Sequence, residues 1–160
     1  MPFSPVPLTG QVVGVLLAAS FLGSRAGTLS IIAYLLLGAA GAPVFSLARG
    51  GLYMLAGPTG GYLIGFIPAV YLAGWILEQP GRPTVYRTTG AMLIALGIIY
   101  SFGGIQLGLM MRYTFIQVML SGIIPFLIPD LFKVALAVFL SIQVKTSLHN
   151  SRLGHVLENK

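Results

Sequence analysis

The sequence contains no cysteine. That excludes a disulfide framework, a thiolate-held metal and a thiol nucleophile. Charge is nearly as scarce. Asp, Glu, Lys and Arg make up 8% of 160 residues, against about 25% in an average soluble domain. Too few polar groups are present to clothe a water-facing globule, and a disordered chain needs more charge and less hydrophobicity. The acidic residues are three, Glu78, Asp130 and Glu158. Glu78 and Glu158 sit beside Arg or Lys in polar segments, where solvation is the expectation, so no carboxylate pair is available for acid–base work on one membrane face. The two histidines, His149 and His155, lie in the C-terminal tail and form no H-x-x-x-H pair. Neither a Walker A nor a G-x-S-x-G motif is present. These absences leave catalysis almost without candidates. The expectation is a protein that is not an enzyme and carries no cofactor or metal.

What the chain has is hydrophobicity, 56% of residues, with a mean hydropathy of +0.92. A helix needs about 20 apolar residues to cross the hydrocarbon core, so this length holds five or six crossings in one domain. The apolar stretches run from about Gln11 to Gly23, Thr28 to Ala42, Gly60 to Leu77, Thr88 to Leu109 and Phe115 to Val144. Each is continuously apolar, whereas barrel strands alternate with period two. The expected fold class is therefore an all-α integral membrane protein. Residues 1–145 form the membrane domain and residues 146–160 a polar cytoplasmic tail. Pro125 and Pro129 interrupt the last stretch. Proline is well tolerated at a helix start, which predicts a start near Pro129-Asp130 after a loop or half-helix, with Asp130 in a first turn favoured by the helix dipole.

The net charge of +6 is read as topology rather than as a nucleic-acid footprint. With five spans, Arg25, Arg82, Arg87, Lys145, Arg152 and Lys160 fall on one side, and Arg49 and Arg112 on the other. The positive-inside bias makes the first set cytoplasmic, in the cell membrane, with the C-terminus inside and Met1 outside. An outside start without a signal peptide predicts a further helix upstream of Met1.

Two constellations could carry function. Asp130 and Lys133 stand at i and i+3 on one helix face, and each would cost about 2.5–3.5 kcal/mol at the membrane centre. They form either an internal salt bridge only or the polar floor of a ligand pocket open to the outer face. The second is Gly57-Pro58-Thr59-Gly60-Gly61-Tyr62-Leu63-Ile64-Gly65-Phe66. Gly61 and Gly65 make a G-x-x-x-G, which lets helices approach closely. The turn before it offers backbone amides at a helix N-terminus. Ahead of it, Ala42-Pro43-Val44-Phe45-Ser46 and Arg49-Gly50-Gly51 form a long outer loop, a candidate lid in which Arg49 either meets a carboxylate or is solvated.

Taken in order, Pro2-Phe3-Ser4-Pro5-Val6-Pro7-Leu8-Thr9 with Gln11, Gly41-Ala42-Pro43-Val44-Phe45, the block from Gly57 to Phe66, and Pro125-Phe126-Leu127-Ile128-Pro129-Asp130 with Lys133 resemble the BioY family. That family comprises the biotin-binding S components of energy-coupling factor (ECF) transporters. The resemblance implies a six-helix bundle, of which this chain holds about five, the first being absent. It implies a biotin pocket open to the outside, and as partners a transmembrane coupling subunit and a pair of ABC-type ATPases. Asp130 and Lys133 match the family's Gly-Asp-x-x-Lys motif, with Pro129 in place of the usual Gly. Asp130 is suited to accept urea N–H bonds, and Lys133 to donate to the urea oxygen or the carboxylate. Tyr62, Phe45 and Phe66 are expected as walls, Thr59 with the amides of Gly60 and Gly61 as closure, and Arg49 and Gln11 as further binding residues. The alternatives are an S component for another small vitamin, or a structural or assembly membrane protein in which the ion pair is only a latch.

Overall fold

A computed structural model describes residues 9–81 and 84–158, with side chains up to Val144 and that of Ser147. The Pro2–Leu8 block, Arg82 and the charged side chains of the tail lie outside the described residues. The elements are α1 (Gln11–Ala39), a short α2 (Leu52–Ala56), α3 (Gly60–Glu78), α4 (Val85–Met111), a short α5 (Phe115–Val118), a π turn (Met119–Ile123) and α6 (Ile124–Glu158). Four helical stretches, Gln11–Ala39, Gly60–Glu78, Val85–Met111 and Phe115–Val144, are long and apolar enough to cross a membrane.

The first of these stretches is not one rod. Gly23 breaks it with φ 77° and ψ −169°, backbone angles that are essentially confined to glycine. Gln11 Nε2 then donates to Tyr34 Oη at 2.5 Å. Along a straight helix those residues would stand about 35 Å apart, at 1.5 Å per residue. The stretch is therefore a hairpin with arms 11–22 and 24–39, and it supplies the two short spans expected from the sequence. Counting each arm, the chain runs through the bundle five times.

Glu78, at the end of α3, holds the break. Its Oε1 accepts from the Ser24 amide at 2.9 Å and its Oε2 from the Ser24 hydroxyl at 2.5 Å. The expectation of a solvated Glu78 is thus corrected: its carboxylate caps the free amides at the start of the second arm, where negative charge is favoured. A Cβ on Gly23 would lie 2.0 Å from Glu78 Oε1. Arg87 closes the same end of the bundle, donating to the carbonyls of Leu77, Gln79 and Pro80.

α3 is the central helix. Gly61 and Gly65 seat it on α4, where a Cβ would meet Phe102 O at 2.3 Å and Phe102 Cβ at 3.0 Å respectively. Its other face packs on α1, where a Cβ on Gly27 would meet Val70 Cγ1 at 2.9 Å and one on Gly74 the Ser24 nitrogen at 2.5 Å, and Ala69, Val70 and Ala73 are fully buried. Ala91 and Ala95 of α4 are buried as well, in keeping with internal packing. A buried hydrogen bond between Ser20 and Ser141 ties the first arm to α6.

The last helix departs from expectation. Helical backbone runs from Phe115 through the π turn and on to Glu158, with Pro129 inside α6 rather than at its start. Helices in lipid tolerate an internal proline because neighbouring structure compensates for the lost bond. Asp130 is therefore not in a first turn, and the dipole argument does not hold it. The backbone also stays helical across residues 146–158, where polarity had suggested the helix would already have ended.

Candidate functional site

A cleft opens at the end of the bundle where the 40–59 loop lies. It contains about 630 Å³ of space free of protein atoms, its open mouth included. Most of its wall is apolar: Val12, Phe45, Met54, Leu63, Phe66, Ile99 and Phe126, together with the ring of Tyr62. Polar groups enter from Thr9, Gln11, Ser46, Thr59, Tyr100, Asp130 and Lys133.

The charged part is compact. Lys133 Nζ donates to Asp130 Oδ1 at 2.6 Å, with the side chains 15% and 7% exposed. Tyr100 Oη, reaching across from α4, donates to Asp130 Oδ2 at 2.7 Å. Each carboxylate oxygen thus holds one donor and keeps lone-pair capacity, and the Lys133 ammonium keeps two N–H groups. The cluster is neutral overall and can both accept and donate toward the cleft. A neutral group carrying N–H donors beside a carbonyl satisfies it best, because a carboxylate placed against Asp130 meets a like charge.

The π turn shapes the neighbouring wall. Tyr62 Oη donates to Gly122 O inside the turn at 2.9 Å, which fixes the ring and engages the hydroxyl. A Cβ on Gly122 would sit 2.7 Å from that oxygen. On the loop side, Phe45 is pinned in the notch left by Gly38, where a Cβ would meet Phe45 Cζ at 2.1 Å. Tyr34 stands edge-on to the Phe45 ring, with centroids 5.6 Å apart, and donates to Val44 O at 3.0 Å. Gln11 donates in turn to Tyr34, and its own Oε1 accepts from Thr9.

Of the residues singled out from the sequence, the cleft brings together Gln11, Phe45, Thr59, Tyr62, Asp130 and Lys133, with Phe66. Gly60, Gly61 and Arg49 lie outside its lining. A Cβ on Gly60 would strike Leu55 O at 1.8 Å, and its amide is engaged with Gly57 O at 3.0 Å. Both glycines lie at close contacts, Gly60 with Leu55 and Gly61 with Phe102, outside the lining of the cleft. Arg49 is exposed on the loop, where its backbone pairs with Phe45. Tyr100 and Ser46 were missed. The signal for Tyr100 was a hydroxyl, beside that of Ser101, in the middle of an apolar span. Its partner Asp130 lies thirty positions away, and no local spacing connects the two. Among the described residues no group of His, Asp or Glu could hold a metal ion.

Apolar helices surrounding a cleft with apolar walls and one desolvated ion pair define a multi-pass membrane protein that binds a small molecule. Comparison with known proteins narrows this. Residues 1–150 match the model of the BioY family. The chain is 39% identical over 145 residues to the biotin transporter BioY of Thermotoga maritima, covering 91% of this chain and 84% of that protein. It is 41% identical over 137 residues to a probable biotin transporter BioY of Pyrococcus horikoshii, covering 86% and 79%. Its fold matches the crystal structure of the S-component for biotin from an ECF-type ABC transporter with a TM-score of 0.86 and 26% identity, over 91% of this chain and 79% of that one. The chain belongs to the BioY family.

Proposed function

We propose that this protein binds biotin in the cleft and is the substrate-specific S component of an ECF transporter for biotin uptake. The observation that carries this reading is the neutral Asp130–Lys133–Tyr100 cluster at the wall of an otherwise apolar cleft. Biotin offers a cyclic urea with two N–H donors and one carbonyl, a thioether ring and a carboxylate tail. Asp130 accepts from the urea N–H groups and Lys133 donates to the urea oxygen. Phe45, Tyr62, Phe66 and Phe126 enclose the apolar ring, and Gln11 and Thr59 add uncharged polar groups to the lining. Desolvating a urea that finds all its partners, while excluding analogues that lack them, is how such a site discriminates.

The partners in this reading are a transmembrane coupling subunit and ABC-type ATPases, which supply the energy that a chain without nucleotide motifs does not. The cleft faces outward and the C-terminus is cytoplasmic, as the distribution of Lys and Arg supports. Detergent-purified protein should melt at a higher temperature with biotin. A ligand at about 100 times its Kd stabilises by about 2.7 kcal/mol. No shift with biotin, alongside a shift with another vitamin, would overturn the assignment of the substrate.

A further inference from the structure

Among the described residues that line the cleft, one buried side-chain polar atom, Ser46 Oγ, has no hydrogen-bond partner. A buried hydroxyl without a partner is unfavourable unless something else satisfies it. The backbone around it is also held in an uncommon form. Leu47 and Ala48, the next two residues, both have left-handed backbones, with φ 59° and 54°, which side-chain-bearing residues seldom adopt. Such outliers persist where surrounding structure enforces them, and they cluster at ligand clamps. Here the enforcing contacts are the Phe45–Arg49 pairing at 2.9 Å, the Gly51 amide on Gly38 O at 2.6 Å and the buried Phe45 ring. These contacts hold the backbone on both sides of Ser46.

Asp130 enters the same cleft from deep in the bundle. It lies 15 residues beyond Phe115, about 22 Å by helical rise, whereas Ser46 enters from the loop. The charged cluster favours the neutral urea, so the anionic tail belongs at the loop end. We propose that Ser46 Oγ–H donates a hydrogen bond to the carboxylate of the bound ligand and is a specificity-determining residue for an acid over its neutral derivatives. This rests on the biotin reading and adds the direction in which the ligand lies.

The test is isothermal titration of the full-length protein in detergent with biotin and with biotin amide, whose tail is uncharged. A hydrogen bond to a charged group carries one to two decades of affinity, and one to a neutral group clearly less. Ser46→Ala should weaken biotin ten- to a hundredfold and biotin amide by less than threefold. Ser46→Thr, which keeps the hydroxyl, should bind biotin within threefold of the wild type. The melting temperature of each ligand-free variant should match the wild type, which shows that the loop is intact. Biotin binding by Ser46→Ala within twofold of the wild type overturns the proposal, and so does an equal loss for both ligands. A wild-type protein that binds neither ligand overturns the biotin reading itself and this proposal with it.

Discussion

Replacing both members of the buried pair, Asp130→Asn with Lys133→Met, separates a binding cluster from a latch. The single changes come first. With Lys133→Met the Asp130 carboxylate, 7% exposed, keeps only the Tyr100 hydroxyl as donor. Removing one partner of a buried ion pair costs about 3–5 kcal/mol, because the other charge is left uncompensated. Asp130→Asn leaves an ammonium 15% exposed facing a neutral amide, a smaller fault because the lysine stem can shift its head toward the open cleft. In the double variant no charge remains. The amide oxygen introduced at position 130 still accepts from Tyr100 Oη, which sits 2.7 Å from Asp130 Oδ2 in the native protein, and the methionine fills the volume of the lysine stem. Its stability should return to within about 1–2 kcal/mol of the wild type, since replacing a buried pair by groups of similar volume is often neutral. Binding should not return. The urea loses a charged acceptor and a charged donor, each worth about 1.5–3 kcal/mol, which together put affinity down by two to four decades. Thermal unfolding in detergent reads the first quantity and titration with biotin the second. A stable double variant that binds biotin within tenfold of the wild type would leave the pair a structural latch and refute the role given to it here.

Two further outcomes test the fold and its setting. Gly23→Ala should destabilise by about 2–4 kcal/mol, because the added Cβ must adopt a glycine-only conformation and displaces the Glu78 carboxylate from Ser24, whereas Gly97→Ala, with nothing within 4 Å of its Cβ, should be neutral or slightly stabilising; an equal effect of the two in thermal unfolding would mean that the hairpin break is not constrained. On the cysteine-free background, Ala48→Cys should react with an impermeant thiol reagent added outside whole cells and Ser147→Cys should not; the opposite pattern would reverse the orientation and the outward-facing cleft.

Much of this was legible in the residues, for physical reasons that also mark where legibility ends. Membrane helices announce themselves by composition, so the ends read for the third and fourth stretches fall within three residues of α3 and α4. Asp130 and Lys133 were conspicuous because ionisable groups are costly in hydrocarbon. Pro129 misled because the rule that puts proline at helix starts is strongest where water competes for the freed carbonyl. The end of α6 misled because polarity ends a membrane span without ending a helix. Gly60 and Gly61 were rightly seen as special, but close packing and ligand approach ask for the same residue, and only the positions of Leu55 and Phe102 distinguish them. Tyr100 and the π turn were out of reach, since both depend on pairings between distant helices.

The π turn also sets the frame in which the rest of the last helix is read. Val118, Gly122, Phe126, Asp130, Val134 and Val138 are all buried, a run of four-residue steps. Four residues turn an ideal helix about 40° beyond a full revolution. Five such steps would swing the inward stripe about 200° and leave its far end facing lipid. The π turn accommodates one extra residue, taking back about 100°, and beyond Val134 the stripe passes by a three-residue step to Ala137 and then to Ser141, both more deeply buried than Val138. Residues 119–123 therefore act as a reading-frame correction in three dimensions. Ile128, Phe132 and Phe139, now exposed on the outer face, are free to vary among apolar residues. Losing the extra residue would return the turn to α geometry and leave Asp130 and Lys133 facing the cleft, whereas gaining or losing one residue in the regular helix between Ile124 and Asp130 would turn the pair by about 100° without altering a single ligand-binding side chain.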